Sequence, residues 1–141
     1  MIGGWMGLEK VRERIIERVS EREKIAEERR IEEEIERSME MGEGFLEAKN
    51  YPACYFMYFR AFKSLALLYV KKKADVELSE GEALLHLAKK KKFGFDQEVL
   101  REMLEKYDLV LNRKEAKRKD CLKVRRAVKK IAILLGSKVT L

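Results

Sequence analysis

The sequence predicts an all-α protein, a five-helix up-and-down bundle carrying a charged N-terminal helical extension. Three observations lead there. Apolar residues recur at three- and four-residue spacing along most of the chain, which is the period of one helix face. Capping pairs, a Ser, Asp or Asn followed three residues on by a Glu or an apolar run, open successive segments. Period-2 alternation is absent, and there is one Pro in 141 residues. At this length one domain with a single core is expected, with residues 1–30 as the extension and 31–141 as the bundle.

In the extension, Leu8, Val11, Ile15 and Val19 make an apolar stripe that thins into Glu and Arg. As a coiled coil it fails after about two heptads, because Arg18, Arg22 and Arg29 fall on the seam. Its many Glu/Arg pairs at i,i+4 spacing support a solvated helix instead. Ser20 with Glu23 marks a place where a new helix starts or the first runs on. Ile31, Ile35, Met39, Gly42, Phe45 and Leu46 then restore the stripe to Ala48. Asn50-Tyr51-Pro52 is a turn, with Pro52 suited to the first turn of a helix reaching about Lys72.

Ser79-Glu80-Gly81-Glu82 caps a short helix through Leu84, Leu85, Leu87 and Ala88, which ends in the Lys89–Lys92 run and Phe93-Gly94-Phe95. Asp96 caps a fourth bundle segment with Val99, Leu100, Met103, Leu104 and Tyr107 in register. Asn112 with Glu115 is expected to cap the last helix, which carries Ala116, Cys121, Val124, Ala127, Val128, Ile131 and Leu135 and stops at Gly136.

Tyr51 to Val70, followed by Lys71-Lys72-Lys73, has nearly the length of a membrane span. Arg60, Lys63 and Ser64 give it a narrow polar stripe, so the central helix of a bundle explains it better. Met1 to Gly7 has no basic n-region and reads as no secretory signal, and a cytoplasmic setting without membrane attachment is expected. Cys54 and Cys121 read as two buried free thiols, with a disulfide between them as the alternative. Abundant charge with only Asn50, Asn112 and Gln97 as amides matches hyperthermophile composition.

The net charge of +7 is unevenly placed. Residues 1–70 hold 12 Lys+Arg against 14 Asp+Glu, and residues 71–141 hold 20 against 11. Within Arg113–Lys130 ten bases face only Glu115 and Asp120, a concentration able to neutralise phosphates. The candidate nucleic-acid contacts are Arg113, Lys117, Arg118, Lys123, Arg125, Arg126 and Lys130, although Arg125 and Arg126 flank the apolar stripe, so not all of these bases share one face. The alternatives are a solvated helix face in a lysine-rich proteome, or pairing of these bases with the acidic N-terminal half.

Catalytic signatures are sparse. His86, Cys54 and Cys121 are too few and too scattered for a metal centre, and no cofactor is expected. Gly3-Gly4 and Gly42-Glu43-Gly44 lack the Gly-Lys-Ser/Thr continuation of a phosphate loop. One histidine and few hydroxyl side chains leave little from which to build a nucleophile with its base.

The order of features from Ile31 onward, and above all Phe45-Leu46-Glu47-Ala48-Lys49-Asn50-Tyr51-Pro52-Ala53 followed by Tyr55 to Leu68, resembles the HEPN superfamily of small helical domains. Leu84-Leu85-His86-Leu87 resembles that family's short histidine-bearing helix. The resemblance implies a helical bundle, commonly dimeric, that works in RNA cleavage or beside a nucleotidyltransferase-type partner. The family's nuclease signature is an Arg followed four to six residues later by a His. This chain departs from it, since no histidine follows His86 and Arg113 to Arg118 continues into Lys119-Asp120-Cys121. General acid–base work on a ribose hydroxyl then has no evident agent.

The expected function is therefore a noncatalytic module, a homodimer binding RNA, a nucleotide or a partner protein. The alternatives are a metal-independent RNase with an atypical site at Arg60, Lys63 and His86, or a helical protein-interaction adaptor. Ala48 to Ala53 also resembles the turn of a tetratricopeptide-type hairpin, but no repeat follows it.

Overall fold

The computed structural model describes residues 2–136, with side chains described from residue 7. Its elements are α1 (Ile2–Glu47), α2 (Tyr51–Lys73), α3 (Glu80–Lys90), α4 (Gln97–Arg113) and α5 (Arg118–Leu135), and no strand occurs among the described residues. The protein is an all-α helical bundle. Two compact units are distinguished, Met1–Arg30 and Ile31–Leu141.

In the first unit the helix runs through Ser20 and Glu23 without a break. Serine and glutamate are ordinary helix residues when no competing turn follows, and the i,i+4 charge pairs on either side favour continuation. Leu8, Val11, Ile15 and Val19 are exposed there.

The second unit is organised on α2, of which twelve residues are buried, among them Tyr55, Tyr58, Phe59, Phe62 and Leu65. Its most extensive packing on the later helices is against α5, then α3 and α4. A helix covered on nearly every side needs an apolar surface nearly all round, which is why this segment imitates a membrane span in the sequence. No helix among the described residues is long and apolar enough to cross a membrane.

The entry to α2 follows its sequence signals. Lys49 takes a left-handed backbone at φ 60°, Asn50 Oδ1 accepts from the Ala53 amide at 3.4 Å, and Pro52 sits where an amide hydrogen has no helical partner.

An aromatic seam ties α4 and the α3–α4 link to α2. The Phe59 ring lies 5.9 Å from Tyr55, 5.7 Å from Phe62 and 4.5 Å from Tyr107 of α4. Phe93 and Phe95, in the link between α3 and α4, insert edge-on against Tyr69 at 4.9 Å and Phe62 at 5.2 Å. That anchors a link which would otherwise be a plain lysine-rich loop.

Helix starts at Ser79 and Asp96 are as expected. Ser79 Oγ accepts from the Glu82 amide at 3.2 Å, and Asp96 Oδ1 accepts from the Val99 amide at 2.9 Å. Replacing Asp96 by alanine should cost about 1 kcal/mol, the worth of an N-cap, read as a lowered midpoint in urea denaturation.

The start of α5 differs from expectation. Asn112 lies inside α4, whose buried rhythm continues to Val110, and the turn is made by Lys114 with φ 55°. Lys117 is the cap residue of α5, and its amide donates to Asp120 Oδ2 at 2.9 Å. Here the third helical residue reaches back to the cap amide, so the signal was Asp120 and not Glu115.

Candidate nucleic-acid interface

Helix α5 buries Cys121, Val124, Val128, Ile131 and Leu135 toward the core. The residues on the opposite side are set by the same period, and Lys119, Lys123, Arg126 and Lys130, spaced by four, three and four, form one exposed line. At 1.5 Å per residue this line is about 16 Å long.

The seven residues singled out from the sequence separate into three groups. Lys123, Arg126 and Lys130 lie on the line, joined by Lys119. Arg113, Lys117 and Arg118 are exposed around the link from α4 to α5. Arg125 is on the other flank, partly buried, with Nε 2.8 Å from Glu43 Oε1 of α1. Its guanidinium is thus turned to a carboxylate of the bundle.

Within the line, Lys123 Nζ lies 3.3 Å from Glu102 Oε2, an exposed pair that contributes little to stability, and Arg126 Nε donates to the Leu122 carbonyl at 3.3 Å. Lys106 Nζ and Asp120 Oδ2 are 3.6 Å apart.

A second basic segment precedes a turn that packs beside Lys130 of α5. Lys89, Lys90, Lys91 and Lys92 are exposed, and Lys92 Nζ lies 5.6 Å from the centre of the Phe93 ring. Gly94 then turns the chain at φ 80°, so close to α5 that a Cβ there would stand 3.2 Å from Lys130 Cδ. The left-handed backbone angle is what favours glycine here, since the exposed Lys130 stem could give way to a Cβ.

Between this turn, α4 and α5 lies a cavity of about 350 Å³ lined by Phe93, Gly94, Val99, Met103 and Ala127, with Lys123, Arg126 and Lys130 around it. Behind Met103, the Tyr55 hydroxyl donates to the Met103 carbonyl at 2.7 Å. Burial, and after it the charge of Asp120, pushes the Tyr55 phenol above its ordinary range, so it remains a neutral donor.

No protein-family model, no curated protein and no solved structure matches this chain. The reading of the site therefore rests on its own geometry.

Two of the three residues of the alternative nuclease site are held in partly exposed ion pairs. Arg60 Nη2 lies 2.8 Å from Glu34 Oε1. Lys63 Nζ lies 3.9 Å from Glu80 Oε2 and 5.0 Å from the centre of the Tyr107 ring. His86 is half-buried on α3, and no hydrogen bond or ion pair among the described residues joins it to either cation.

Cys54 and Cys121 are free and buried, and Cys121 Sγ donates to the Tyr51 carbonyl at 3.3 Å, one turn before Cys54. The neighbouring Cys121 side chain, and then burial, push the Cys54 thiol up, while a hydrogen bond from Cys54 draws Cys121 down. Such a pair is packed as two small apolar groups sharing a weak hydrogen bond. No group of three or more His, Cys, Asp or Glu able to hold a metal occurs among the described residues.

Proposed function

We propose that this chain is a noncatalytic, HEPN-like helical module of the cytoplasm that binds RNA along the exposed face of α5. The observation that carries the reading is the line of Lys119, Lys123, Arg126 and Lys130, four cations at helical spacing on one exposed face. Four adjacent cations on a rigid helix neutralise successive phosphates and release their counterions on binding. The lysine run at Lys89–Lys92 extends the positive surface beyond the Gly94 turn. Among the described residues no hydrogen bond or ion pair joins His86 to Arg60 or Lys63, which supports a binding role over cleavage. In this reading the domain works as a homodimer or beside a nucleotide-handling partner protein, as the family resemblance implies.

The test is the anisotropy of a labelled single-stranded RNA at about 50 and 200 mM salt, a range over which phosphate-driven binding weakens steeply. The wild type should bind at low salt and lose affinity as salt rises. A Lys119→Ala, Arg126→Ala, Lys130→Ala triple variant removes three phosphate contacts at about 0.7 each for a single strand, so the log–log salt slope should fall by about 2. Absence of binding at low salt, or an unchanged slope in the variant, overturns the reading.

A second reading, a protein-interaction adaptor, draws on the exposed apolar stripe of Leu8, Val11, Ile15 and Val19. It predicts no RNA binding at either salt, so the same measurement separates the two.

A further inference from the structure

Resting on the RNA reading, we infer that the cavity between the Phe93-Gly94 turn, α4 and α5 receives one unpaired base of the bound strand. Lys123, Arg126 and Lys130 hold the phosphates on either side of it. The cavity is about 350 Å³, at the small end of the range of about 300–1,000 Å³ that ligand sites occupy. Its floor is apolar, built of Phe93, Val99, Met103 and Ala127, and its charged groups are the three cations with Glu102 paired to Lys123.

That arrangement distinguishes a nucleic acid strand from a plain polyanion. Phosphates satisfy cations, but they gain nothing from an apolar floor, and desolvating charge against it would cost free energy. A base has two apolar faces to bury there while its phosphates stay at the rim. The fit also favours a single strand, because the bases of a duplex are stacked on one another and cannot enter a lateral cavity without being extruded.

The floor is rigid. Phe93 is fully buried against Tyr69, and Met103 has its carbonyl held by Tyr55. Lys130, at one end, has its stem against Gly94 and is thus positioned along the edge of the cavity.

The experiment compares three probes on the full chain under one low-salt condition: a short single-stranded RNA, inorganic polyphosphate of equal charge, and poly-glutamate of equal charge. RNA should bind about tenfold tighter than polyphosphate, the order expected for burying one base face against a small apolar floor. Ala127→Leu, which fills the cavity, should abolish that preference while leaving the salt slope unchanged. Val99→Ser, at a partly exposed position, should reduce it in the same direction, and thermal melts establish that both variants fold.

Equal binding of RNA and polyphosphate by the wild type would overturn the inference and leave the RNA-binding face standing. So would a preference surviving both substitutions. Tighter binding of poly-glutamate would assign the face to an acidic peptide. Absence of binding by every probe would overturn the RNA reading as well, a result separate from the others.

Discussion

Phe59→Ala should remove most of the stability of the bundle, with the urea midpoint falling toward zero. Phe59 is fully buried in α2, and its ring is shared by Tyr55, Phe62 and Tyr107, so it joins α2 to α4 and to its own neighbouring turns. Truncating a core phenylalanine costs about 3–5 kcal/mol in lost transfer energy and residual cavity. Each lost ring pair adds about 0.5–1.5 kcal/mol. A domain has about 5–15 kcal/mol in total, so this one change consumes a large part of it.

The neighbouring Phe56 is the control. It is only partly buried and meets Tyr107 alone at 6.1 Å, so Phe56→Ala should cost clearly less. Phe59→Leu keeps most of the volume and should remain foldable, giving a measurable intermediate loss. If Phe59→Ala and Phe56→Ala shift the midpoint equally, the seam is not what holds α4 to α2.

This seam shows where sequence reading reaches its limit. The helix over Pro52 to Lys72 could be read from its spacing, but nothing in the spacing says which helix Phe59 will meet. Tyr107 is an apolar-face residue like any other until the chain folds back, and the lodging of Phe93 and Phe95 in the core was hidden by the lysines beside them. Helix starts were legible where one side chain caps its own third residue, as at Ser79 and Asp96, because that geometry is local. At Asn112 the same pattern misled, since a buried rhythm extending to Val110 outweighed a cap worth about 1 kcal/mol.

The basic face followed the same division. That α5 would be basic could be counted, and the line of Lys119, Lys123, Arg126 and Lys130 could have been drawn from the apolar residues opposite it. Only that step brings Lys119 into the line, since charge counting does not separate it from its basic neighbours. Pairing with the acidic N-terminal half, one of the expected alternatives, occurs at Arg125 with Glu43, but which base it takes depends on α1 passing beside α5. Nor could the cavity, whose lining comes from the α3–α4 link, α4 and α5 at once.

Gly42→Ala should destabilise the protein by about 2 kcal/mol, although alanine is the better helix former. Gly42 lies in α1 and is buried, and a Cβ built on it would collide with both Cδ1 and Cε1 of Tyr58. Neither atom can retreat easily, since the Tyr58 ring is fully enclosed in α2. Overpacking of this kind costs about 1–3 kcal/mol, and a contact this short belongs at the upper end. The gain in helix propensity returns at most about 1 kcal/mol.

The sign of the net effect is therefore set by the tyrosine, and a double-mutant cycle reads it. Tyr58→Phe leaves both offending carbons in place and should give no relief. Tyr58→Ala, costly alone, should make Gly42→Ala nearly neutral or favourable, with a coupling of about 2–3 kcal/mol between contacting residues. Additive losses in denaturant melts would mean that α1 and α2 can slide apart at this crossing. The close approach would then not be what requires glycine at position 42.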